Sequence, residues 1–212
     1  MAYNLEEQEQ LENLKAFWNR YGNFLVTLVA IMALSIAGWR GWGWYQGRQS
    51  AQAAAVYETL REAASARNID GVRASAGKLF DEYGKTVYGP MAALIAAGAY
   101  VQAGDAKAAK IPLQWAIDNA ADENFRNTAR LRLASILLDE GAYDEGLKTL
   151  DVPSAGAYLG LFEDRRGDLL NAAGRRDEAR AAYERALAAL SPNAMLRGLV
   201  QLKRDALGGA PA

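Results

Sequence analysis

The chain contains neither cysteine nor histidine. Without thiols there can be no disulfide framework, thiol nucleophile or thiolate metal site. Without imidazole the commonest general base and the commonest transition-metal ligand are missing. Proline is scarce, five in 212 residues, so little interrupts a helix. Charge of one sign is lacking too. Lys and Arg total 24 against 25 Asp and Glu, a formal net charge of -1 with no long basic run, which excludes an electrostatic case for nucleic acid. What remains is alanine-rich and 51% hydrophobic, enough for one anchored domain with its own core. The composition describes a mostly helical protein that does little chemistry.

One long apolar run is present. In "NFLVTLVAIMALSIAGWRGWGWY" no charged residue occurs between Phe24 and Trp39. At ~1.5 Å per residue, residues 22–45 can cross a ~30 Å hydrocarbon layer. Trp39, Trp42, Trp44 and Tyr45 crowd one end, where amphipathic rings favour the headgroup layer. A buried core helix would be shorter and would carry a polar stripe. Ser35-Ile36-Ala37 offers the small-x-small triplet of a cleavage site, but the preceding segment holds Glu6, Glu7, Glu9 and Glu12 against Lys15 and Arg20. A signal peptide begins with a short basic region, so an uncleaved anchor is expected. Lys15 and Arg20 on one side balance Arg40 and Arg48 on the other, leaving orientation open. Ala33, Ala37 and Gly41 lie four apart and form a small-residue ridge that would admit a second transmembrane helix. Before the crossing, Leu11, Leu14, Trp18 and Tyr21 share one helical face opposite the acids, which suits a protein surface or a solvated extension of the anchor.

Beyond Arg48 the pattern is periodic. "RGDLLNAAGRRDEARAAYERALAALSP" places Ala179, Ala182, Tyr183, Ala186, Leu187 and Leu190 on one face after a helix-ending Gly174. Ser191 and Pro192 read as the N-cap and first residue of another helix. The same design stands 33 residues earlier around Gly141 and a further 37 earlier around Gly104. Those intervals bracket the 34-residue tetratricopeptide unit, a helix-turn-helix. In that register Gly167 holds the tight-packing position of its unit's first helix, and Ala179, Tyr183 and Ala186 hold the small, aromatic and small positions of the second. Ala109, Leu113 and Ala116 serve around Gly104. In the middle unit Gly146 replaces Ala and Leu150 takes the aromatic place. The consensus Trp is replaced by Glu163. An all-α repeat solenoid is therefore expected over residues 46–207, begun by a helix pair from the segment before Gly84 and capped by "SPNAMLRGLVQLKRDAL", with residues 208–212 as a flexible tail.

Catalytic patterns are thin. Ser75-Ala76-Gly77-Lys78 fits S-x-x-K, but the elements that accompany it in acyl transferases are absent. Gly84-Lys85-Thr86 ends like a phosphate loop, yet Leu79 stands where the upstream glycine is required. Asp139-Glu140, Asp144-Glu145, Glu163-Asp164 and Asp177-Glu178 are sequence neighbours that diverge on a helix, and caps or solvated faces are expected for all four. No metal or cofactor site is expected. The residues leave a membrane-anchored repeat adaptor, for instance for envelope or division proteins, beside a remoter membrane-bound hydrolase.

The stretches "EEQEQLENLKAFWNRYG", "YGPMAALIAA", "NTARLRLASILLDEGAYDEGLKTLD", "EDRRGDLLNAAGRRDEARAAYERAL" and "LVQLKRDAL" together resemble the YfgM-type ancillary subunit family of the bacterial SecYEG translocon. The resemblance implies a cytoplasmic segment at residues 1–21, a single inner-membrane helix and a periplasmic tetratricopeptide-like domain. It further implies association with SecYEG and with a PpiD-like periplasmic chaperone, and a role in passing emerging secretory or membrane proteins to folding factors. It carries over no catalytic residue.

Overall fold

A computed structural model describes residues 5–208, and every regular element among them is a helix. Residues up to Gln49 form one unit and residues from Ser50 onward another. The described residues of the first unit lie within helix α1 (Leu5–Ser65). Among the described residues the second comprises the end of α1, a short 3-10 helix (Gly156–Tyr158) and eight further α-helices: α2 (Ile69–Tyr83), α3 (Tyr88–Gln102), α4 (Ala106–Asn119), α5 (Glu123–Asp139), α6 (Tyr143–Thr149), α7 (Leu159–Ala172), α8 (Arg176–Ala189) and α9 (Leu196–Ala206). The Gly209–Ala212 part of the expected tail lies outside the described residues.

Alanine dominates the start of the second unit, and alanine forms helix best. Ala53, Val56, Tyr57, Leu60, Ala63 and Ala64 recur at three- and four-residue steps and turn one face of α1 into the core beside Val72, Ala76 and Leu79 of α2. The helices then alternate. α2 packs on α3, α3 on α4, α4 on α5, and so on to α8 on α9.

The turns explain the alternation. Gly104, Gly141 and Gly174 each follow a helix with φ between +76° and +79°, a conformation that costs an L-residue about 1–2 kcal/mol. At each, the glycine N–H reaches back to one carbonyl and the next N–H to the one before it. After α7 these are Gly174 to Asn171 and Arg175 to Leu170, both 2.9 Å. This pairing satisfies carbonyls that a helix end leaves open. The structure adds one such turn at Arg67 (φ 55°), and a left-handed Gly208 (φ 72°) that follows α9. Arg67 was not legible as a helix stop because the usual glycine is absent. The four turns and Gly208 stand at 67, 104, 141, 174 and 208, so the repeat is 37, 37, 33 and 34 residues long.

One local reading gives way. Ser191-Pro192 does not open the last helix, which begins at Leu196. Leu190 is extended (ψ 138°), and the Arg197 guanidinium donates to the carbonyls of Leu187 and Leu190 at 2.6 and 3.1 Å. That side-chain cap ends α8, and a turn from Ser191 to Ala194 delays the next start. α6 is also short, seven residues against 14 in α4 and α8. Proline disfavours helix at the residue before it and removes a donor, and Val152-Pro153 stands where α6 would continue.

Candidate functional site

In the first unit the apolar run from Phe24 to Trp39 is exposed apart from a half-buried Leu25, with Phe24 at 67%, Leu34 at 73% and Trp39 at 79%. Water would not tolerate such a helix alone, and α1 is long and apolar enough to cross a membrane. Trp39, Trp42, Trp44 and Tyr45 are all exposed. The Arg48 guanidinium lies 4.8 Å over the Trp44 ring, and Gln49 donates to the Tyr45 hydroxyl at 3.0 Å. Ala33, Ala37 and Gly41 are exposed, and a Cβ at Gly41 would meet nothing within 4 Å. Leu11, Leu14, Trp18 and Tyr21 of the preceding face are exposed as well.

In the second unit, Ala109, Ala179 and Ala186 have no exposure. Gly167 faces Tyr183 across the α7–α8 pair, and a Cβ there would sit 2.8 Å from Cζ and closer still to two other ring carbons. Helix and ring approach one another only because the position is glycine. Gly146 is similarly closed off by Leu169, whose Cδ2 would be 2.7 Å away.

Tyr183 carries a polar end into this core. Its hydroxyl donates to Asp168 at 2.9 Å. Burial first, and then the Asp168 carboxylate, push the phenol well above its ordinary range, so it remains a neutral donor. Asp168 also accepts from Lys203 at 3.0 Å, and Lys203 donates to Asp164 at 2.8 Å. One ammonium from α9 thus binds two carboxylates one turn apart on α7. Desolvation raises the Asp164 pKa, and the Lys203 hydrogen bond counteracts it. Glu163 holds Arg185 at 2.8 Å and Arg166 at 3.5 Å.

This corrects the expectation for Glu163-Asp164. Both residues are only 6% exposed and neither caps a helix nor faces solvent. The other three acidic pairs are exposed. Divergence of neighbours on a helix is what sends Glu163 toward α8 and Asp164 toward α9. Sequence reasoning missed Lys203, Arg185 and Asp168. The available signal was a cation 35 residues beyond an acid, one repeat later.

Gly84-Lys85-Thr86 lies in the turn after α2. Among the described residues no hydrogen bond joins Ser75 to Lys78, and no cluster of acids could hold a metal ion. What the second unit does offer is surface. α6, α7 and α8 enclose an open cavity of about 430 Å³, floored by Leu147 and Leu170 and edged by cationic side chains.

Residues 15–209 match a family described as tetratricopeptide repeat-like domain. The chain is 32% identical to the "Ancillary SecYEG translocon subunit" of Neisseria gonorrhoeae over 211 residues, which cover 98% of this chain and all of that protein. It is 29% identical to the protein of the same name from Escherichia coli, over 84% of this chain and 85% of that one. The Haemophilus influenzae protein of that name is 27% identical over 88% and 91%. An exposed apolar helix, a tetratricopeptide-like helical array and end-to-end similarity lead to one assignment: the chain belongs to the ancillary SecYEG translocon subunit family.

Proposed function

We propose that the protein is a non-enzymatic scaffold that sits beside the SecYEG translocon and links emerging polypeptides to periplasmic chaperones, one of them PpiD-like. The observation that carries this reading is similarity along the whole chain, anchor included, to proteins named as translocon subunits. On this reading residues 22–45 span the bacterial inner membrane, residues 1–21 are cytoplasmic and residues 46–207 are periplasmic. Trp39, Trp42, Trp44 and Tyr45 then lie at the outer interface, where Arg48 would stack on Trp44 in the headgroup layer. The repeat surface supports binding rather than turnover. Helix pairs stacked in series give an extended face, and the two acids buried among them, Glu163 and Asp164, are paired with cations.

Crosslinking in native membranes, followed by identification of the partners, tests the association. SecYEG subunits and a membrane-anchored chaperone should be recovered, and recovery of division proteins alone would replace this reading with an adaptor unconnected with secretion. Protease added to spheroplasts tests the topology. It should digest the repeat domain and spare residues 1–20, whereas a protected domain or a mature chain beginning near Gly38 would overturn it.

A further inference from the structure

We infer that the groove left by the short α6 binds a partner peptide that presents one acidic side chain between apolar ones. The inference rests on the adaptor reading and names the chemistry of what the repeat domain takes.

The groove has a cause in the sequence. The other second helices of the repeats, α2, α4 and α8, run 14 or 15 residues, while α6 stops at Thr149 after seven. After the Pro153 break the chain does not continue along α8. Val152, Ala155 and Tyr158 turn instead into the core around Phe162 and Leu169. α6 is thus about two turns shorter than its counterparts, and its last residues, Leu147 and Lys148, with Asp151 just beyond, line the opening of about 430 Å³ together with side chains of α7 and α8. That volume is in the range of ordinary ligand sites, roughly 300–1,000 Å³.

The lining selects the occupant. Leu147, Leu170 and Ala181 make the apolar part, and Lys148, Arg166 and Arg185 are cations of the lining. Arg175 also lines the groove but is already satisfied, by Glu178 through a 2.7 Å hydrogen bond and by Asp144 at 3.8 Å. Lys148 and Asp151 are opposite charges that form no ion pair among the described residues. Arg166 and Arg185 share one acid, the buried Glu163. Two guanidiniums on one carboxylate leave a single positive charge over. A segment that supplies a helical turn of apolar side chains and one carboxylate would cover the apolar lining and pair the surplus charge of Arg166 and Arg185.

The probe is a fluorescent octapeptide with blocked ends and one glutamate between leucines, titrated against the full chain in lipid nanodiscs. Matched peptides carry glutamine or lysine in place of the glutamate. The glutamate peptide should bind about tenfold more tightly than the glutamine one, as expected for a hydrogen bond to a charged group, and the lysine peptide should bind most weakly. Two variants locate the site. Ala181→Glu sets a resident carboxylate one turn before Arg185, a favourable helical pair that leaves the fold intact. Arg185→Gln removes the surplus charge while Arg166 still pairs Glu163. Both should abolish the preference for glutamate with an unchanged far-ultraviolet spectrum. Equal binding of the three peptides, no binding of any, or a preference that survives Ala181→Glu would overturn the inference. Co-purification with SecYEG is measured on the same preparations. If it persists while the peptides fail, the groove assignment alone falls. If the peptides bind and SecYEG is lost, the translocon reading falls.

Discussion

Replacing Lys203 by methionine removes a cation and keeps the length of its stem. In the native protein the ammonium lies 2.8 Å from Asp164 and 2.9 Å from Asp168, and it ties α9 to α7 across a repeat boundary. Cutting one partner out of a fully buried ion pair typically costs about 3–5 kcal/mol, because the opposite charge is left unpaired. The Lys203 side chain is 25% exposed and Asp168 keeps Arg165 at 3.7 Å, so solvent and a second cation reduce the loss. About 2–3 kcal/mol remains. In a domain of this size each kcal/mol moves the melting midpoint by about 2–4 °C, which gives a fall of roughly 5–10 °C. The deficit should depend on pH with a definite sign. Burial raises the Asp164 pKa, so the folded state holds its proton at a pH where the unfolded chain has released it. Such a group makes folding more favourable as pH falls through its raised folded value toward the ordinary carboxylate range near ~4. Loss of Lys203 raises the Asp164 value further. The gap between Lys203→Met and the parent should therefore be larger at pH 8 than at pH 5. Thermal melts by circular dichroism at the two pH values measure the gap, and hydrogen exchange at α9 amides reports whether the damage begins there. A drop under ~2 °C, or a gap that widens in acid, would refute the assigned role of Lys203.

Tyr183→Ala empties the space against Gly167 and should cost ~3–5 kcal/mol, whereas Arg176→Ala, exposed and, among the described residues, bonded only to the Leu207 carbonyl at 3.3 Å, should leave the midpoint nearly unchanged; equal small effects in thermal melts would contradict the packing. Arg67→Gly relieves a left-handed backbone (φ 55°) and should stabilise by roughly 0.5–1 kcal/mol despite added freedom in the unfolded chain, a gain that denaturant titration would read as a higher midpoint at unchanged slope. Ala33→Leu with Ala37→Leu should preserve insertion and reduce co-purification with SecYEG if the ridge meets a partner helix, and undiminished recovery would make the crossing a tether only.

Much of the fold was legible because its causes are local. A run from Phe24 to Trp39 without charge is a solvation statement that needs no tertiary contact. Gly104, Gly141 and Gly174 mark turns because a left-handed residue after a helix excludes most side chains, and that constraint acts within six residues. Gly167 and Tyr183 could be paired by register, since a repeat places the same two positions in contact each time. The sequence by itself thus determined an apolar helix, helical hairpins and their order. Only the tertiary structure decided that Glu163 and Asp164 are inside the protein, because their partners come from α8 and α9 and the cation for Asp164 lies 39 residues on. It also decided that Arg67 does the work of a glycine, in a left-handed turn (φ 55°) between two helices whose apolar faces enter the same core. α9 starts at Leu196 rather than Pro192 because an arginine from the next helix caps α8 first. Local rules count the preference of each residue alone, but a buried charge or a strained backbone persists when contacts from distant segments together outweigh that preference.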